Sequence, residues 1–270
     1  ILFAMKKILI LAVSTSMLFA SCGKWREKRD MTTSKDHNQI EGLLDDMFKT
    51  VDQISSETPG IKLFDNTCVD NIVIDTTTSP KSIMVDFGQD DCAGNDGRVR
   101  KGILHITYTG RYRTEGTVIN VTPENFSIDG YSINGHKTLV NEGLNNQGQP
   151  YFSVAVEAQI TAPNGEWTAS WSGDRIRTWT EGYNTPINIW DDVYHISGSG
   201  QGVNRNGVSY DMNIDEDLIA KVGCSWLVQG VMSIQPEEGA NRIIDWGSGE
   251  CNNGFTVTVG NNEYEVNGGN

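Results

Sequence analysis

Short runs of alternating apolar and polar residues, divided by Asn-Gly and Asp-Gly pairs, set the tightest limit on what this chain can fold into. In the clearest run, Phe152, Val154, Val156, Ala158 and Ile160 fall on one face while Ser153, Glu157, Gln159 and Thr161 fall on the other. A two-residue period of this kind belongs to a strand with one dry face. Ile72-Val73-Ile74, Ser82 to Phe87, Ile103 to Tyr108 and Thr117 to Val121 are further β-branched or alternating runs. Asp96-Gly97, Asp129-Gly130, Asn134-Gly135, Asn164-Gly165 and Asn206-Gly207 sit between such runs. Both residues of each pair tolerate the positive φ that a two-residue hairpin turn demands. Strands at short spacing with local turns predict a single all-β domain over 61–270, an antiparallel meander closing as a sandwich or barrel.

Only residues 37–60 break this pattern. Ile40, Leu43, Leu44, Met47, Phe48, Val51 and Ile54 recur at three- and four-residue steps, which predicts one amphipathic helix before the β domain, ended by Thr58-Pro59-Gly60. Its apolar stripe is expected to pack on the β domain, or else to serve as a docking element for a partner. Glu41, Asp45, Asp46 and Asp52 lie on the polar side, and anionic lipid would repel them.

The first residues read as an export signal. Lys6-Lys7 follow Met5, so that 1–4 reads as an upstream extension, and Ile8 to Leu18 is apolar apart from Ser14, Thr15 and Ser16. This run is well short of the roughly 20 residues that a spanning helix needs, and its charged flank fits a secretory signal over 1–21. Phe19-Ala20-Ser21-Cys22 resembles a bacterial lipobox, which implies cleavage before Cys22, lipidation of Cys22, and a polar tether over 22–36. Loss of the signal removes two lysines and no acids, moving the formal charge from -14 to -16. Such a balance disfavours nucleic acid, which needs a basic face, and no nucleic-acid partner is expected.

Export also places the cysteines in an oxidising compartment. Asp86-Phe87-Gly88-Gln89-Asp90-Asp91-Cys92 and Asp245-Trp246-Gly247-Ser248-Gly249-Glu250-Cys251 share an Asp, aromatic, Gly, acid, Cys pattern at identical spacing. Each closes a segment opened by another cysteine, giving a pseudo-repeat over 68–92 and 224–251. A hairpin turning around Pro80 sets Cys68 opposite Cys92, and one turning between Glu237 and Glu238 sets Cys224 opposite Cys251. Opposed residues in an antiparallel pair are close enough for a disulfide. The expected bonds are therefore Cys68–Cys92 and Cys224–Cys251, with reduced, buried thiols as the alternative. Zinc fits poorly, because neither pair has the close spacing of zinc ligands.

Chemistry is harder to read. There is no nucleophile elbow, zinc-protease helix or phosphate loop, and His105, His136 and His195 belong to separate strands. Asp86, Asp90, Asp91, Asn95 and Asp96 crowd hard oxygen donors into one loop, the one candidate for calcium. The same residues also suit turns for backbone reasons; no other cofactor is expected. Trp167, Trp171, Arg175, Arg177 and Trp179 share one parity of an extended strand. Indole faces beside guanidinium forks can grip a glycan. Alternatively they form a core or edge in which the arginines stack on tryptophan and pair with Asp191, Asp192 or Glu181.

From the lipobox through the two Cys-hairpins, Arg175-Ile176-Arg177-Thr178-Trp179-Thr180-Glu181-Gly182 and Asn204-Arg205-Asn206-Gly207-Val208, the pattern resembles a group of Bacteroidota lipoproteins with all-β mature domains. That group has no assigned activity, so the resemblance implies an address and not a function. Lys24, Arg26, Lys28 and Arg29 behind the cysteine favour the periplasmic face of the outer membrane over surface display. The expected role is a non-catalytic binding or scaffold domain for a glycan or an envelope partner. The rivals are a polysaccharide hydrolase with paired carboxylates and a structural subunit docking through the helix.

Overall fold

A computed structural model describes residues 30–55, 68–94, 97–185, 188, 190–224, 226–252 and 254–267. The signal, Cys22 and most of the tether lie outside these residues. Helix α1 spans Thr32–Ser55, and fourteen strands follow. They are β1 (Asn71–Asp75), β2 (Lys81–Asp86), β3 (Cys92–Ala93), β4 (Val99–Tyr108), β5 (Val118–Ile128), β6 (Tyr131–Leu144) and β7 (Pro150–Thr161). The series continues with β8 (Thr168–Glu181), β9 (Val193–Val203), β10 (Ser209–Lys221), β11 (Leu227–Pro236), β12 (Arg242–Ser248), β13 (Gly254–Val259) and β14 (Asn262–Asn267).

All the strands join one antiparallel sheet in chain order, with the two-residue β3 alone off the path, paired to β4. The all-β meander is as expected, but it forms a single large sheet that does not close into a tight barrel. Among the described residues, β1 and β14 remain as edges. The concave face is filled by α1 instead of by a second sheet. His37 touches Tyr210 on β10, Asn38 touches Trp246 on β12, and Glu41 touches Arg175 on β8. In a flat sheet β8 and β12 would stand roughly 19 Å apart, so the sheet must curl for one helical turn to reach both.

The helix starts earlier than the apolar period suggested. Asp30 caps it, its Oδ1 accepting from the Thr32 amide at 2.9 Å. Thr33, Ser34 and Asp36, expected in a solvated tether, are buried. Ile40, Leu43, Leu44 and Met47 enter the core, so this part of the stripe packs on the chain's own sheet. The side chains of Phe48, Asp52 and the rest of the last turns lie outside the described residues.

Most turn pairs lie where expected. Ile128 pairs with Tyr131 around Asp129-Gly130, both at positive φ. Asn164-Gly165 and Asn206-Gly207 fall in the β7–β8 and β9–β10 connections. Asn134-Gly135 does not turn: it lies inside β6, paired to Gln159 and Ala158 of β7. A Cβ on Gly135 would come within 2.0 Å of the Glu157 carbonyl oxygen, so this glycine serves close strand approach rather than reversal.

Both expected disulfides are present, Cys68–Cys92 and Cys224–Cys251, with Cα separations of 5.4 and 5.8 Å. The first arises differently from the simple hairpin. Cys92 lies beyond β2, on β3, where it pairs with Arg100 of β4. The pseudo-repeat is structural: Asp86 Oδ1 accepts from the Gly88 amide, and Asp245 Oδ1 from the Gly247 amide, at 2.8 and 2.7 Å. The two glycines have φ of 83° and 84°, and Phe87 and Trp246 are both buried. One copy sits near each end of the sheet.

Candidate functional site

The Trp/Arg strand is β8, and it faces inward. Trp171, Arg175, Arg177 and Trp179 are all buried, and Trp167 is half-buried against Tyr131. They therefore do not form an exposed platform for sugar stacking. The core alternative describes them better, although the carboxylate that meets Arg175 comes from the helix and not from the neighbouring loop. Arg175 pairs with Glu41 and stacks over Trp171 at 4.7 Å. Arg177 lies over Tyr194 at 3.6 Å, which itself stacks on Trp179.

Glycine in β9 makes room for these rings. Gly173 and Gly200 pair across β8 and β9, and Gly202 pairs with Trp171. A Cβ on Gly200 would lie 2.9 Å from the Trp171 indole, and one on Gly202 would lie 2.3 Å from the Tyr210 ring. The alternating Ser197-Gly198-Ser199-Gly200-Gln201-Gly202 thus puts glycine wherever the inner face carries a large neighbour.

Around Glu41 the helix and sheet build a buried polar seam. His37 Nε2 lies 3.2 Å from Glu41 Oε1, and His37 Nδ1 lies 3.1 Å from the Tyr210 hydroxyl. Burial opposes the Glu41 charge, but Arg175, His37 and Lys137 together hold its pKa down to about 2. Burial and the nearby Arg177 pull Lys137 down to about 7, against the attraction of Asp45 and Glu41. Burial, with Glu41 and Asp36 nearby, raises the Tyr210 phenol well above its ordinary range, so the hydroxyl stays protonated and able to donate to His37.

Further along the helix, Asp36 accepts from Arg205 Nε at 2.7 Å and its backbone amide at 2.8 Å. Asp46 takes Arg100 through two bonds of 2.6 and 3.1 Å. The helix supplies the acids in these pairs, and the sheet and its turns supply the cations. Asp46 and Glu41, expected on a solvated face, are therefore interior ion-pair partners. Tyr210 and Lys137 carry no sequence signal of this role, because the helix groups they meet, His37 for Tyr210 and Glu41 and Asp45 for Lys137, lie more than ninety residues away; the His37–Glu41 pair is local, at i,i+4, but its burial under the sheet is not.

The calcium candidate is described only in part. Asp86 caps Gly88, Asp91 pairs with Lys101 at 2.8 Å, and Asn95 and Asp96 lie outside the described residues. Among the described residues, no three His, Cys, Asp or Glu side chains gather as a metal site. His105, His136 and His195 stand on β4, β6 and β9, each beside a different carboxylate.

The outer face holds an open trough of about 920 Å³ crossing β6 to β11. Its walls carry Gln159, Ser172, Gln201, Asp211 and Gln235, with Glu157 beside them. Register makes this an ordered row: Glu157 pairs with Ser172, Ser172 with Gln201, Gln201 with Asp211, and Asp211 with Gln235. Adjacent strands place such groups roughly 4.8 Å apart, so amide, hydroxyl and carboxylate oxygens form a ladder across the strands. Compared with known proteins, the chain matches no family model, no curated protein sequence and no solved structure.

Proposed function

We propose that this chain is a non-catalytic envelope lipoprotein, anchored through Cys22 on the periplasmic face of the outer membrane, whose β domain binds a neutral glycan in the outer trough. The observation that carries the reading is the amide, hydroxyl and carboxylate ladder, since hydroxyl-rich ligands are met by such planar donors and acceptors. Glu157 and Asp211 in the same trough disfavour an acidic glycan. The address draws on the lipobox, the resemblance to Bacteroidota lipoproteins and the two disulfides, which suit an oxidising compartment.

A glycan array probed with the full chain tests the ligand. Gln201→Ala and Gln159→Ala should each weaken retention of a neutral glycan roughly tenfold, about 1.4 kcal/mol, with an unchanged melting temperature. Retention that ignores both variants, or no retained glycan, overturns the trough as the site. The address is tested separately: Cys22→Ala should move the protein from the membrane to the soluble fraction, and continued sedimentation with membranes rejects the anchor.

A further inference from the structure

The two edges of the sheet are built differently. β14 turns Tyr264 and Val266 onto the core and exposes Glu263 and Glu265, the charged guard that keeps an edge strand from pairing with another chain. β1 has no such guard within its apolar run. Ile72, Val73 and Ile74 are 46%, 46% and 58% exposed, and none of them joins the core. Among the described residues β1 pairs on one side only, with β2, so exposure on both faces of this β-branched strand leaves a backbone edge and side chains open together, the requirement for strand addition.

We propose that β1 is a dimerisation edge, pairing antiparallel with β1 of a second copy about a two-fold axis at Val73. Register supports a self-complementary fit. Ile72 and Ile74 lie opposite Val85 and Ile83 of β2, which are buried. Antiparallel pairing centred on Val73 sets Ile72 against the partner's Ile74, so the inner apolar layer runs unbroken from one sheet into the next. Val73 meets the partner's Val73 on the outer face. Asn71 falls opposite the partner's Asp75, an amide facing a carboxylate.

Charge agrees at both ends of the seam. Asp70 falls opposite the partner's Thr76, one strand away from the partner's exposed Lys81, roughly 9–10 Å across the backbone. The Asp70 carboxylate rests over Gly88 of its own chain, so the partner's lysine stem reaches toward it across the seam as a long-range attraction, made twice by the axis. Pairing β14 with itself would instead bring Glu263 and Glu265 together, and pairing β1 with β14 would set those acids against an apolar strand. An isologous contact also closes at two copies instead of growing a filament.

Light scattering of the full chain in mild detergent, over a wide concentration range, should give twice the protomer mass. Val73→Lys, which places two ammonium groups on the axis, should restore the protomer mass without lowering the melting temperature, whereas Glu263→Lys on the other edge should leave the dimer intact. Val73→Cys should form an intermolecular disulfide on oxidation, and this readout decides the matter even if the lysine variant fails to fold. A protomer mass at every concentration overturns the proposal. So does a dimer that survives Val73→Lys, or one whose Val73→Cys variant cross-links only to a cysteine introduced at Tyr264. A chain that stays single and captures a foreign strand on β1 rejects the second copy as occupant.

Discussion

Glu41 carries a carboxylate into a place where burial alone would return its proton. Arg175, His37 and Lys137 reverse that outcome and hold its pKa near 2, against an ordinary 4.5. Because the folded value is the lower one, the resulting stability is complete above pH 4.5 and is lost as the pH falls toward 2. The shift corresponds to on the order of 3 kcal/mol. Glu41→Gln should flatten the acid limb of a stability profile taken by urea melts between pH 6 and pH 3. It should also cost about 3–5 kcal/mol at neutral pH, because Arg175 would be left buried without its carboxylate. An unchanged acid limb would move the pH dependence to another group. Lys137 acts at the other end of the scale and with the opposite sign. Its folded pKa of about 7 lies below the ordinary 10.5, so the unfolded chain holds the extra proton across that window. Stability should therefore rise with pH between 7 and 10.5, a trend that Lys137→Met removes.

Among the elements, the two Cys-hairpins lend themselves to a direct test. They close segments with sequence separations of 24 and 27, similar enough that chain entropy assigns each about 3 kcal/mol. Replacing Cys224 and Cys251 with serine should therefore destabilise the fold as much as replacing Cys68 and Cys92, in chemical melts of each double variant. A large inequality would locate the cost in local packing around Phe87 or Trp246 instead of in the closed loop. These hairpins were readable from the sequence because the pattern is local: an aspartate, an aromatic and a glycine fix one turn wherever they occur. The β7 strand was readable for the same reason, since alternation reports burial over adjacent residues. The direction of β8 was not. Trp171 and Arg175 look alike on an inner or an outer face, and the carboxylate that decides it, Glu41, lies 134 residues away. The helix failed in the complementary way. A period that sorts apolar from polar residues assigns Asp36, Glu41 and Asp46 to solvent, yet a helix enclosed by a curled sheet has little solvent side left. The outer trough gave no sequence signal either, because its row of side chains is assembled by register across five strands.

Taken whole, the molecule separates its charges. Six cations are buried in the described residues, Arg98, Arg100, Lys137, Arg175, Arg177 and Arg242, and the helix brings Asp36, Glu41, Asp45 and Asp46 among the sheet's inward-facing cations. With the chain at -14 and these cations turned inward, the outer surface is acidic, which keeps copies soluble and repels anionic ligands. The same separation makes the helix a structural requirement. Without it the sheet would expose an apolar inner face to water, and Arg100 and Arg175 would lose the carboxylates that the helix brings to them. Hydrophobic burial by Ile40, Leu43, Leu44 and Met47 would be lost at once, each worth about 1.5–3 kcal/mol. Together these losses are comparable to the roughly 5–15 kcal/mol that stabilises an ordinary domain. Deleting residues 30–55 should therefore abolish cooperative unfolding, read as a loss of the near-ultraviolet circular dichroism of the buried tryptophans with far-ultraviolet β signal retained. A deletion variant that still melts in one sharp transition would mean that the sheet supports itself, and that α1 is a ligand of the concave face rather than part of the fold.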